Sequence, residues 1–205
     1  MDSQKLIWDR LYKERLSWKK ETTNIPSIIK GKSILELGVG NGKTLQAIAR
    51  QNPKSITAVD FSQDALDKAK ELVKSDKIDF IKADITSLNL DKEFDFIICY
   101  YTLNNLLESE RKEAVSQMYK SLKKGGLVLF EDFAVGDFRE KEGVKRIESH
   151  TIRRKDGLIC HFFLESELKS LFSQFSKITL SKKVFSPFRS NKEKKRIILS
   201  VIIKK

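Results

Sequence analysis

The sequence predicts an α/β fold built on a doubly wound, mostly parallel sheet that ends in an antiparallel hairpin. Three observations carry this reading. Apolar runs of strand length alternate with segments of helical period, the pattern of a parallel sheet with crossover helices. The first such run empties into glycines at alternate positions, as at the first βα turn of a nucleotide-binding sheet. The last two apolar runs are joined by so short a link that they must pair antiparallel. At 205 residues and 23.7 kDa, with 40% hydrophobic residues, the chain is long enough for one substantial core, and residues 1–205 are read as a single domain.

The elements follow in order. Residues 1–30 carry Leu6, Ile7, Leu11 and Leu16 with Trp8, Tyr12 and Trp18, a helical pattern dense in aromatics. This segment is either a lid across the mouth of a site or padding for a sheet edge. Ser33 to Leu37 is the first strand, Thr44 to Arg50 a helix, and Pro53 closes the connection to a second strand, Ser55 to Asp60. Ser62 is placed to cap the next helix, whose apolar positions are Ala65, Leu66, Ala69, Leu72 and Val73. A third strand fits Ile78 to Ala83. The nearly unbroken run Phe94 to Tyr100 reads as a parallel strand buried on both faces. A helix from about Glu108 follows, with Val115, Met118 and Leu122 on one face and Gly125 just beyond its end, and then a fifth strand, Leu127 to Phe133. Residues 134–163 are read as an insertion or substrate loop, since Arg139 to Gly157 is charged and weakly periodic. Leu168, Leu171 and Phe172 suggest a short helix. The closing strands, about Lys177 to Phe185 and Lys195 to Ile203, are linked through Ser186-Pro187-Phe188-Arg189-Ser190-Asn191.

Composition narrows the classes. There is no apolar run long enough to span a membrane, and the start lacks the apolar core of a signal peptide, so a cytoplasmic protein is expected. Cys99 and Cys160 sit in or near apolar runs, as reduced buried thiols do, and with only His150 and His161 besides, no metal site is expected. The formal charge is +12, and nine basic residues stand against the single acid Glu193 between Lys182 and Lys205. Such a concentrated field favours a polyanion, although lysine-rich surfaces also serve solubility alone. The residues leave the oligomeric state open.

The glycine turn is Glu36-Leu37-Gly38-Val39-Gly40-Asn41-Gly42. A dinucleotide fingerprint would need glycine where Lys43 stands, and a P-loop would need it at Leu37. The remaining pattern, E-x-G-x-G-x-G, resembles the first motif of class I S-adenosylmethionine-dependent methyltransferases. That resemblance implies their seven-stranded Rossmann-like sheet, with S-adenosyl-L-methionine over the glycine turn and Glu36 toward its methionine ammonium group. It further implies Asp60 on the ribose hydroxyls, Asp84 on the adenine amino group, and Phe61 or Ile85 against the ring. Cofactor contacts are thus expected from Glu36, Gly38, Gly40, Asn41, Gly42, Asp60, Phe61, Ser62, Asp84, Ile85 and Tyr100, with Trp8 and Tyr12 added if the leading helix is a lid. Tyr100 and Tyr101, after the fourth strand, either stack on an acceptor or belong to the core. An amino-group methyltransferase motif, Asn/Asp-Pro-Pro-Tyr, is absent there.

Trp8-Asp9-Arg10-Leu11-Tyr12, Phe130-Glu131-Asp132-Phe133, Arg154-Lys155-Asp156-Gly157, Phe162-Phe163, Glu167-Leu168 and Asn191-Lys192-Glu193-Lys194 together resemble the family that makes 3-methylcytidine in tRNA. The chain departs from that family's pattern at Leu107, Leu158, Ile159 and Leu164. The resemblance implies an unpaired cytidine N3 as nucleophile, with tRNA as partner. Asp132 would then offset the cationic product, and Tyr101 would stand at the acceptor. Arg139, Arg153, Arg154, Lys194, Lys195 and Arg196 would hold phosphates. The alternative is a small-molecule or protein methyltransferase on the same fold.

Overall fold

The computed structural model describes residues 3–14, 25–187 and 193–205. Expectations for Leu16, Trp18, Arg189, Lys192 and most of the final link therefore lie outside the described residues.

Seven strands form one sheet, in the order β3 (Ile78–Lys82), β2 (Ser55–Asp60), β1 (Ser33–Leu37), β4 (Phe94–Tyr100), β5 (Leu122–Phe133), β10 (Arg196–Lys204) and β9 (Lys177–Phe185). Strands β1 to β5 pair in parallel, and β10 runs antiparallel between β5 and β9. The strand period of two sorts neighbouring residues onto opposite faces. Leu35, Leu37, Ile97, Cys99, Val128 and Phe130 join Val115 and Met118 of α4 (Glu108–Ser121) and Leu168 of α5 (Glu165–Leu171). Ile34, Ile56, Ala58, Phe96, Ile98 and Leu129 join Leu45 and Ile48 of α2 (Lys43–Arg50) and Ala69 of α3 (Gln63–Leu72). Two apolar layers thus sandwich the sheet, which explains the nearly unbroken apolar run in β4. Ser62 caps α3 as its position predicted, accepting the N–H of Ala65 at 3.4 Å.

Three details differ from the expectations. Helix α4 stops at Ser121, because Leu122 turns extended, buries its side chain fully and pairs with Phe94. Gly125 is therefore no helix terminus; its N–H donates to the Lys205 carbonyl at 3.1 Å, tying the chain's last residue to β5. Leu72 is exposed, since it lies in the last turn of α3 rather than over the sheet. The segment read as a loop holds a second, three-stranded antiparallel sheet of β6 (Lys145–Glu148), β7 (Thr151–Arg153) and β8 (Ile159–His161). Strands of three or four residues are too short to display a period. Their anchor is polar: buried His161 bonds Thr151 Oγ1 at 2.8 Å and Glu167 at 2.9 Å, and buried Arg111 of α4 meets Glu148 and Glu167 at 3.5 and 3.6 Å.

Candidate functional site

Strands β1, β2, β3 and β4 present their C-terminal ends along one rim, where open α/β sheets bind ligands. Past β1 the backbone reverses through Gly38, Gly40 and Gly42, all at positive φ (74°, 54° and 82°), with Asn41 at the tip and Gly42 capping α2. Close approach accounts for all three, a Cβ on Gly42 falling 2.9 Å from the Ala69 Cα. A Cβ on Gly38 would run into the Thr102 hydroxyl, and one on Gly40 would lie 3.0 Å from the Tyr12 hydroxyl.

Asp60, closing β2, binds this turn directly. Its Oδ2 accepts the Gly40 N–H at 2.8 Å and its Oδ1 the Ser62 N–H at 3.0 Å. Burial pushes its carboxyl up to about 6 against the lowering effect of those hydrogen bonds. Beneath the turn, Glu36 is fully buried; burial, and then the charge of Asp60, hold its carboxyl well above the usual range. Its Oε2 has no hydrogen-bond partner. An unpartnered buried carboxylate oxygen beside a glycine turn fits a cationic ligand group, because a cation would offset the desolvation of the charged form.

Helix α1 (Ser3–Glu14) covers the rim. Trp8 and Tyr12 stack with ring centroids 5.7 Å apart, Lys5 pairs with Asp84, and Lys68 of α3 donates to the Tyr12 carbonyl. Gln4 reaches the far side: its amide donates to the Gly157 carbonyl at 3.0 Å and accepts the Ile159 N–H at 2.8 Å. Asp84 also accepts the N–H and hydroxyl of Thr86, and these bonds with Lys5 hold its carboxyl below the usual range although burial acts the other way.

Of the residues predicted from sequence, Trp8, Tyr12, Gly38, Asp60, Phe61, Asp84, Ile85 and Tyr101 line one pocket. Others lie elsewhere. Ser62 is spent on capping α3, and Tyr100 packs against the apolar layer of Ile34 and Ile98. Asp132 is fully buried behind the rim, where it accepts the N–H and side-chain amide of Asn104 at 3.0 and 2.7 Å and the Phe133 N–H at 2.9 Å. It braces the turn after β4 instead of facing the pocket. Of the basic residues, Arg139 is bound by Asp137, Arg154 by Asp156 and Lys194 by Glu142, while Arg153 donates to the Gly157 carbonyl. Lys195 is exposed, and Arg196 lies 5.9 Å from the centre of the Phe133 ring. The pocket also takes Gln4, Lys5, Thr86, Thr102, Asn105 and Glu110, which carry no motif. The hydrophilic face of a leading helix gave no sign of which polar residues it would turn inward.

Burial pushes the Asp132 carboxyl up to about 7. A carboxyl raised in the folded state contributes stability that is complete below its unfolded value, near 3.8, and is lost as pH rises through 7. Between pH 6 and 8 the urea midpoint of the wild type is expected to fall more steeply than that of Asp132→Asn, the slope from one proton being at most about 1.4 kcal/mol per pH unit. Equal slopes would show that Asp132 is already ionised at pH 6.

Residues 34–126, from β1 through the start of β5, match the family described as a methyltransferase domain. A malonyl-[acyl-carrier protein] O-methyltransferase of Priestia megaterium is 36% identical over 111 residues, covering 53% of this chain and 39% of that protein. A tRNA N(3)-methylcytidine methyltransferase of Schizosaccharomyces pombe is 30% identical over 159 residues, covering 72% of this chain and 52% of that protein. The chain thus spans about half or less of these curated relatives. The solved structure of an S-adenosylmethionine-dependent methyltransferase from Methanosarcina mazei superposes with a TM-score of 0.71 at 21% identity, covering 89% of this chain and 99% of that one. The chain thus carries a methyltransferase-domain match from β1 across the glycine turn to the start of β5, and its seven-stranded sheet has the fold of that solved S-adenosylmethionine-dependent methyltransferase.

Proposed function

We propose that this protein is a cytoplasmic RNA methyltransferase that transfers a methyl group to N3 of an unpaired cytidine in tRNA. The observation that carries the transferase reading is the unpartnered Oε2 of buried Glu36, two residues before Gly38, which lines a pocket with Asp60 and Asp84 although Glu36 itself does not. Glu36 would face the methionine ammonium group, Asp60 the ribose hydroxyls and Asp84 the adenine amino group. Lys5 now engages Asp84, so it would yield or share that carboxylate when adenine arrives. S-adenosylmethionine supplies an electrophilic methyl group on a sulfonium. The protein's task is to align the acceptor with it, and alignment alone can supply roughly 7 to 11 kcal/mol. A ring nitrogen already carries its lone pair, so no general base is needed. Trp8 and Tyr12 on α1 would close the pocket against water.

The acceptor class is supported by the +12 charge and by the likeness to a relative named as a tRNA N(3)-methylcytidine methyltransferase. A second reading, a small-molecule or protein acceptor, is favoured by the internal pairing of Arg139, Arg154 and Lys194 with acids and by the likeness to an O-methyltransferase. Tritium transfer from labelled S-adenosylmethionine to total RNA, protein and metabolites, followed by nucleoside analysis, decides between them. Label is expected in RNA as 3-methylcytidine. Label in protein or metabolites alone would overturn the RNA reading and leave the transferase reading standing.

A further inference from the structure

Arg139 was expected to hold a phosphate, yet its environment suits a different task. Its guanidinium lies over the Phe133 ring, Cζ 3.5 Å from the ring centre. Fully buried Asp137 grips it by two bonds, Nε to Oδ1 at 2.8 Å and Nη2 to Oδ2 at 3.0 Å. Asp137 is itself fixed, accepting the Ile197 N–H of β10 at 3.0 Å and the Arg139 N–H at 3.1 Å. The guanidinium plane is therefore set by the sheet, and its charge is balanced by a desolvated carboxylate. An arginine so held is a weak hand for a phosphate and a good plate for stacking, because its planar, weakly hydrated cation is already charge-balanced by a two-bond carboxylate in its plane.

A second ring joins Phe133 to the pocket. Tyr101, which lines it, lies 5.1 Å from Phe133 with the rings tilted by 35°. Its backbone is left-handed at φ 54°, an outlier for a bulky residue. Its N–H donates to the Glu131 carbonyl at 2.8 Å, its hydroxyl donates to Glu131 Oε2 at 3.4 Å, and Asn105 donates to the Tyr101 carbonyl at 3.2 Å. A strained aromatic at the rim of the pocket, backed by a second ring and a braced guanidinium, is more structure than core packing requires. Tyr101 and Phe133 are only half-buried, and the Arg139 side chain is 21% exposed.

We infer that Tyr101, Phe133 and the Asp137-braced Arg139 form a stacking plate that selects a planar heterocycle, of nucleobase type, as methyl acceptor. The inference rests on the methyltransferase reading of the pocket. In it Tyr101, which lines the pocket, meets the acceptor ring, Phe133 and Arg139 back Tyr101 from behind, and Asp137 is a positioning residue acting through Arg139.

The test compares Phe133→Leu, Phe133→Tyr and Arg139→Lys with wild type, using unfractionated tRNA as acceptor. Readouts are kcat and KM for tRNA, the salt dependence of that KM, and S-adenosylhomocysteine affinity by calorimetry. Losing an aromatic stacking partner is worth about 5- to 150-fold per base. Phe133→Leu and Arg139→Lys are expected to raise the tRNA KM by a factor in that range with cofactor affinity unchanged, and Phe133→Tyr to restore it. The salt slope should stay at the wild-type value, whereas loss of a phosphate contact lowers it by about one. Unchanged KM, a reduced slope for Arg139→Lys, or weakened cofactor affinity in a folded Phe133→Leu would each overturn the plate. Should wild type label no RNA, the same variants are assayed on whichever pool is labelled. An acceptor with a planar ring and the same variant pattern would keep the plate while the RNA reading fell; a non-aromatic acceptor would overturn both.

Discussion

Replacing Asp60 with alanine is expected to weaken S-adenosylmethionine binding by about 1.5 to 3 kcal/mol while leaving the fold intact, because hydrogen bonds to a charged group are lost at one rim position. The carboxylate sits where the end of β2 meets the glycine turn, holding the Gly40 and Ser62 N–H groups. Titration calorimetry on the folded variant reads the loss; unchanged affinity would mean that the ribose lies elsewhere. The same residue predicts a pH dependence. With its carboxyl raised to about 6, Asp60 is ionised at pH 7.5, and affinity should drop about tenfold per pH unit once the pH falls below 6. Asp60→Asn should remove that slope. For the free protein the sign reverses: a raised carboxyl stabilises the fold fully below its unfolded value of 3.8, and this contribution disappears as pH rises through 6. Binding and stability should therefore respond to acid in opposite directions in this range.

Gly38→Ala should be the more damaging change. Alanine at φ 74° is strained, by about 1 kcal/mol, and its Cβ would also lie 2.6 Å from Thr102 Cγ2. Thr102 cannot swing aside freely, since its hydroxyl donates to the Leu37 and Tyr100 carbonyls at 3.0 and 3.1 Å. Overpacking against a held side chain adds about 1 to 3 kcal/mol, so a total loss of about 2 to 4 kcal/mol is expected, together with loss of cofactor binding. Gly31→Ala is the internal control. Gly31 has φ 70° but nothing within 4 Å of its Cβ, so only the strain of about 1 kcal/mol should appear. Equal melting temperatures for the two variants would show that Thr102 yields and that the close approach is not what demands glycine.

The parts of this molecule that were legible beforehand share one property: their signal is local. Strand β2 and strand β4 have the bounds read from their apolar runs, and β9 likewise. Ser62 caps α3 because capping is settled within three residues. The pocket acids follow the same rule, since Asp60 and Asp84 each end a strand or begin the turn after it, and parallel pairing brings such positions onto one rim. Where the outcome depended on distant partners, the reading failed. The family resemblance points Asp132 at the acceptor, but Asn104, 28 residues away, binds both its oxygens. The resemblance gives Arg139 a phosphate to hold, and nothing in the local spacing tells that its neighbour Asp137 is buried under β10 and binds it.

By itself the sequence determined the order of strands and helices, the glycine turn that excludes a dinucleotide or P-loop site, and the acids that close β2 and follow β3. Each of these follows from periodicity or backbone chemistry within a few residues, which no fold can rearrange. Only the tertiary structure decided which face of α1 covers the pocket, that residues 145–161 form a sheet held by His161 and Arg111, and which charged side chains are already spoken for. The reason is that a charge is free or paired according to what lies within about 4 Å of it, and for Lys5 and Asp132 that neighbourhood is assembled from strands and helices brought together only on folding.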